Sequence, residues 1–186
     1  THAMGNGPGD AEDYQQIIEK YDNFVGGFVW EWCDHAVYMG KTNEGKPKYY
    51  YGGDFGEFPQ DGNFCMDGLV YPDRTPSPSL KEFKNVIRPL RIPAGDLEKG
   101  EFLFRNILDF TNTADLLTVK YQVVQDGTVV SEGEISDPDV LNIPPHTESI
   151  VSLGTSLPAD GTVTVDFRLV QSVDLPLTKK GHILGT

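Results

Sequence analysis

Cysteine is scarce: Cys33 and Cys65 are the only two in 186 residues. A single pair in a chain of this length is no disulfide framework, and both lie beside aromatics in apolar stretches. They are expected as reduced thiols. Positive charge is also short, with 15 Lys and Arg against 28 Asp and Glu and a formal net charge of −13. Such a surface repels polyanions, which excludes nucleic acid and anionic membranes as partners and leaves neutral ligands such as sugars. No apolar run approaches the ~18 residues of a membrane-spanning helix. No stretch has the basic-then-apolar form of a secretion signal, and no segment repeats another.

What remains is ample for a core. Hydrophobic residues make up 38% and aromatics 11% of the chain, which argues against disorder. The first half mixes two patterns. Tyr14, Ile17, Ile18 and Tyr21 form an i, i+3, i+4, i+7 stripe, predicting an amphipathic helix over 10–24. "GGFVWEW" (26–32) follows as a short apolar run, expected as a strand buried on both faces of a parallel sheet. A long Gly- and aromatic-rich loop is expected from Cys33 to Thr75. "TPSPSLKEFKNVIRPL" (75–90) then starts a second helix. Either Ser77 caps it with Pro78 at the first helical position, or Ser79 and Glu82 form a capping box. Helix, strand, loop and helix are the parts of a β/α unit.

The pattern changes near Arg91. Strands are expected at 101–108, 116–125, 128–135, 147–153 and 162–171. "QDG" (125–127) is a hairpin turn signal, and "IPPH" and "LPAD" break the pattern between strands. Short strands at this spacing predict an antiparallel β-sandwich of immunoglobulin type. The fold class expected is therefore an α+β fragment: the end of a larger α/β domain followed by a sandwich. The apolar side chains Ile17, Phe28, Val29 and Val86 need more neighbours than two helices and one strand supply.

Several residues carry candidate chemistry. Trp30 ends the apolar run, where an indole gives a flat platform for a sugar face, or equally a core residue. Glu31, Asp34 and His35 are candidates for an acid–base or metal cluster, although charges at such a junction more often serve neighbouring backbone. In "GNFCMDGL" (62–69), a loop carbonyl with the Asp67 carboxylate suits a hard cation through oxygen. An Asp in a turn before Gly68 is the plainer reading. His2, His146 and His182 carry no role on their own.

Together "HAMGN", "GGFVWEW", "YGGDFGE", "FCMDGLVYPDRTPSPSLKEFKN" and "GEFLFRN" resemble the large bacterial β-galactosidases of glycoside hydrolase family 2. The resemblance runs over essentially the whole chain and is strongest up to about residue 91. It implies that residues 1–90 are the C-terminal portion of a (β/α)8 TIM-barrel catalytic domain and residues 91–186 the immunoglobulin-like linker domain. The activity implied is hydrolysis of terminal β-D-galactosides such as lactose, with retention of configuration. Two glutamates about 5 Å apart perform such chemistry. The family motif of Glu, aromatic, any residue, His, Ala or Ser, Met, Gly, Asn lies on His2, Met4, Gly5 and Asn6. It puts the nucleophile two residues before Thr1 and the acid/base residue further upstream. No catalytic residue is therefore assigned here, and the chain alone is expected to be inactive.

The resemblance assigns His2 and Trp30 to substrate binding, and the Phe64 carbonyl and Asp67 to a sodium ion that holds the sugar. Family members mostly have Asn where this chain has Asp67, which adds a charge beside the cation. Mg2+ is implied for the parent enzyme, together with its remaining domains, a homo-oligomeric state and a bacterial cytoplasmic location. Two alternatives stand beside this reading. One is a non-catalytic sandwich module for carbohydrate binding or domain docking. The other is a glucuronidase- or mannosidase-like member of the same family.

Overall fold

A computed structural model describes residues 1–5 and 7–186; Asn6, the last residue of the "HAMGN" motif, lies outside the described residues. The chain divides into two compact units, Thr1–Ile87 and Arg88–Thr186.

In the first unit, α1 spans Ala11–Lys20. Glu12 and Asp13 in its first turn and Lys20 in its last favour the helix dipole. Glu12 accepts from Gln16 at 3.1 Å and Glu19 from Gln15 at 3.2 Å, one turn apart. The helix ends four residues before the expected limit of Phe24, because Tyr21 turns extended. A hairpin follows, β1 (Val37–Lys41) with β2 (Pro47–Tyr50). It lies inside the stretch expected as loop; Tyr38 packs across it on Tyr49 with ring centroids 5.7 Å apart. Gly and Lys interrupt the alternation that would have marked these strands. Helix α2 (Pro78–Val86) has Ser77 at its N-cap position and proline in its first turn. The Ser77 hydroxyl does not cap the helix; it donates to the Leu69 carbonyl at 2.8 Å. The helix ends at Val86, shortly before Pro89, which disfavours helical geometry at Arg88.

The "GGFVWEW" segment differs from expectation. The expected strand is not formed: Trp30 makes one isolated parallel bridge, to His2, and Cys33, just beyond the segment, another to Val70. The faces of the segment are open: Phe28 is 93%, Trp30 62% and Trp32 60% exposed. A parallel strand is buried on both faces only where helices cover it, and α1 and α2 leave much of this segment bare. The stripe of α1 is half-exposed for the same reason, with Tyr14, Ile17 and Tyr21 all open to solvent. Tyr14, Ile18, Phe24, Phe28, Phe83 and Ile87 line an apolar groove of about 390 Å³.

The second unit holds β3 (Leu90–Asp96), β4 (Glu101–Asn106), β5 (Leu117–Gln125), β6 (Thr128–Ile135), β7 (Glu148–Ser152), β8 (Val163–Gln171) and β9 (Ile183–Gly185). They form two antiparallel sheets, ordered β3-β4-β7 and β6-β5-β8-β9. The five strands read from the sequence are all present. β3 and β9 were not foreseen: Pro93 and Gly95 break the pattern of β3, and β9 is three residues long. Alternate residues of β4 and β5 point inward, so Phe102, Phe104, Leu117, Val119 and Val123 enter one core with Leu90, Val151 and Leu169. Phe167 meets Phe102 and Phe104 edge-on at 5.0 and 5.8 Å. Each fully buried Leu, Val or Phe contributes about 1.5–3 kcal/mol. The 125–127 turn closes β5 on β6, with Asp126 and Gly127 both at positive φ (49° and 80°), as a type I′ hairpin needs.

Buried polar groups in this core are satisfied. Asn106 donates from Nδ2 to the carbonyls of Thr111 and Ile143, at 2.9 and 2.8 Å, and accepts from the Leu108 amide at 2.9 Å. Gln171 is held in the same manner by Val173 and Thr178.

Candidate functional site

Three short segments of the first unit form the site. The Trp30 amide donates to the Thr1 carbonyl at 2.7 Å, and the Ala3 amide returns to the Trp30 carbonyl at 3.2 Å. On the other side the Glu31 amide donates to the Asp67 carbonyl at 3.1 Å, and the Leu69 and Val70 amides donate to the carbonyls of Glu31 and Trp32, both at 2.9 Å. Residues 30–34 thus lie between 1–3 and 67–70.

The third segment is fixed by Gly68 and Asp34. The Gly68 amide donates to Asp34 Oδ1 at 2.8 Å. A Cβ on Gly68 would fall 2.1 Å from the Asp34 nitrogen and 2.4 Å from the Cys33 carbonyl carbon, so only glycine fits. Downstream, the Thr75 hydroxyl and then its amide hold the Asp73 carboxyl below the usual carboxylate range and close the 71–75 turn. Upstream, the Gly53 amide does most to keep Glu57 low, with help from Phe55, pinning the 51–57 loop.

This frame brings the four residues assigned from the resemblance together. His2 Nε2 lies 2.9 Å from Asp67 Oδ2. The His2 ring packs on Phe64, with centroids 5.0 Å apart. Trp30 pairs directly with His2 in the ladder and exposes its indole. Asp67 is 1% exposed, and its Oδ1 has no hydrogen-bond partner among the described residues. A buried carboxylate oxygen without a donor is costly.

The cluster of Glu31, Asp34 and His35 is not formed. His35 Nε2 pairs with Glu31 Oε1 at 3.1 Å near the surface, while Asp34 turns to Gly68. Among the described residues no group of three His, Cys, Asp or Glu is placed to hold a metal. Cys33 and Cys65 are free thiols, and Arg74 reaches the Cys33 sulfur. His146 pairs with Asp109 in the second unit, at 2.9 Å. The structural tasks of Asp34 and Gly68 were missed in the sequence. An Asp-Gly pair reads as a turn, and nothing local shows that the backbone of 33–34 passes over it.

Residues 1–92 match the family model described as "Glycosyl hydrolases family 2, TIM barrel domain", and residues 102–186 match "Beta-galactosidase, domain 4". The chain belongs to glycosyl hydrolase family 2. It is 45% identical over 189 residues to a β-galactosidase of Actinobacillus pleuropneumoniae, covering 100% of this chain and 17% of that protein. A β-galactosidase of Staphylococcus xylosus is 45% identical over 155 residues, with 82% of this chain and 15% of that protein covered. That of Leuconostoc mesenteroides is 35% identical over 190 residues, with coverages of 100% and 18%. The chain thus spans less than a fifth of the length of these family 2 relatives. No helix among the described residues is long and apolar enough to cross a membrane.

Proposed function

We propose that residues 1–90 form part of the sugar-binding end of a (β/α)8 barrel in a β-galactosidase, and that residues 91–186 are its immunoglobulin-like linking domain. The observation that carries this reading is the meeting of His2, Asp67, Phe64 and Trp30, which lie far apart in the chain. An exposed indole suits the carbon-bound hydrogens of a pyranose, and a His–carboxylate pair beside it suits its hydroxyls. The reaction is hydrolysis of terminal β-D-galactosides with retention, through two carboxylates that this assignment does not find among residues 1–186.

The residues also fit the sodium ion. Asp67 Oδ1 is a buried acceptor without a donor among the described residues, the oxygen chemistry a hard cation takes. The carbonyls of Asp61, Asn63 and Cys65 accept from Phe64, Met66 and His35, and none of the hydrogen bonds found among the described residues ends on the Phe64 carbonyl. Phe64 and Asp67 would hold the ion, and bound there it supplies a fixed positive charge to a sugar hydroxyl. The open apolar groove beside α1 and α2 and the bare faces of 26–32 are where further β/α units of the barrel pack.

A chromogenic β-galactoside assay tests the catalytic part. The purified 186-residue chain is expected to show no turnover above background, because loss of a nucleophile costs several orders of magnitude. Measurable hydrolysis by the chain alone contradicts this assignment.

A further inference from the structure

We propose that Asp67 is a positioning residue for His2: it occupies Nε2 so that a ligand hydroxyl meets the imidazole at Nδ1 alone. The use of this device rests on the galactoside reading above; the device itself rests on geometry.

Both partners are anchored through their backbones. His2 lies between Thr1 and Ala3, which bond to the two sides of the Trp30 peptide. Asp67 is held by the Glu31 amide on its carbonyl and, one residue on, by Asp34 on the Gly68 amide. Phe64 packs on the imidazole and limits its rotation. The 2.9 Å contact between Nε2 and Oδ2 is therefore set by the fold and not by two free side chains. A carboxylate only accepts, so the nitrogen facing it carries the proton in either charge state of the ring. Nδ1 has no bond among the described residues. In the neutral ring Nδ1 is an acceptor, and a sugar hydroxyl must donate to it.

An amide at position 67 would not impose this order. It can turn either its oxygen or its NH2 towards Nε2, which leaves both tautomers open. The carboxylate thus sets how His2 presents itself, which is a matter of specificity and not only of packing.

The test is the ring 15N spectrum of the labelled chain at high pH, where imidazoles are neutral, with the His2 signals identified by their loss in His2→Gln. The expected result is a single His2 tautomer with Nε2 protonated, replaced in Asp67→Asn by two tautomers in comparable amounts. Amide signals of the first unit's helices, residues 11–20 and 78–86, serve as the folding reference, and Asp67→Glu, which keeps a carboxylate, restores the single form. A tautomer mixture or an Nδ1-protonated ring in the parent chain overturns the proposal, as does an unchanged spectrum in Asp67→Asn. Isopropyl β-thiogalactoside is then added. A shift at Nδ1 with Nε2 unmoved supports the hydroxyl contact, and Asp67→Ala weakens it roughly tenfold, about one hydrogen bond. A locked tautomer with no response to the thiogalactoside at His2 or Trp30 supports the positioning role and refutes the galactoside reading.

Discussion

Replacing Gly68 by alanine is expected to dismantle the site from beneath. The added methyl would stand 2.1 Å from the Asp34 nitrogen and 2.4 Å from the Cys33 carbonyl carbon. Ordinary contact needs about 3.5 Å, so the two backbones must part by over 1 Å. Overpacking of this kind costs about 1–3 kcal/mol. The shift also breaks the bond from the Gly68 amide to the Asp34 carboxylate, worth about 1.5–3 kcal/mol as a bond to a charged group. The sum is ~2.5–6 kcal/mol. A unit of this size holds roughly 4–13 kcal/mol, and one with so much bare apolar surface belongs near the lower end. The assay is urea unfolding followed by tryptophan emission. Trp30 and Trp32 are the only tryptophans, so the signal reports the first unit alone. The midpoint should fall by at least about 1 M. Gly127→Ala is the control: it meets no atom within 4 Å, has φ of +80°, and lies in the second unit. Its cost is about 1 kcal/mol from backbone conformation, with no effect on tryptophan emission. If Gly68→Ala unfolds at the parent's urea concentration, the close approach of 67–70 to 33–34 is wrong.

Three further outcomes follow from particular contacts. Asn106→Ala strands the Leu108 amide and two carbonyls in the second unit's core and should cost about 2–4 kcal/mol; far-ultraviolet circular dichroism during urea unfolding reads this, and a loss under ~1 kcal/mol contradicts it. Asp174 is held below the usual carboxylate range chiefly by the Lys180 amide and next by the Lys179 ammonium. A lowered carboxyl stabilises above its unfolded value of ~4 and loses that effect as pH falls through its folded value. Protection of the Lys180 amide against exchange, measured relative to the unstructured rate at the same pH, should therefore fall at acid pH and lose that dependence in Asp174→Asn; an unchanged pH profile of protection in the variant is the contrary result. Phe28→Ser, at a 93% exposed position on the open face, should lower self-association of the chain in sedimentation without loss of stability, because such patches seldom stay uncovered in solution. Equal association in both chains speaks against an uncovered barrel face.

The sequence made the second unit legible because its strands obey a period of two and end at turn residues. "LLTVKYQVVQ" alternates cleanly, and "QDG" joins it to "TVVSEGEI". β3 escaped notice because Pro93 and Gly95 interrupt it, yet it pairs along β4 all the same. In the first unit, α1 and α2 followed their apolar stripes, but burial did not follow apolarity. Phe28, read as core, and Trp30, read equally as core or as a sugar platform, are both open, since a sequence pattern says which faces want cover and not what supplies it. The site was legible only through family resemblance, because His2 and Asp67 come from different segments. Spacing along the chain holds no trace of a 2.9 Å contact between them. The same is true of Asp34, whose carboxylate serves the Gly68 amide and not the cluster with Glu31 and His35 suggested by proximity in sequence.

The central claim is that His2, Trp30, Phe64 and Asp67 face one galactoside. The most direct measurement is a nuclear magnetic resonance titration of the labelled chain with isopropyl β-thiogalactoside. The account predicts saturable shifts of the Trp30 indole and His2 ring signals, loss of both in Trp30→Ala, and no change among residues 88–186. Shifts confined to residues 88–186, with Trp30 and His2 unmoved, would contradict it and make the chain a sandwich-based sugar-binding module instead.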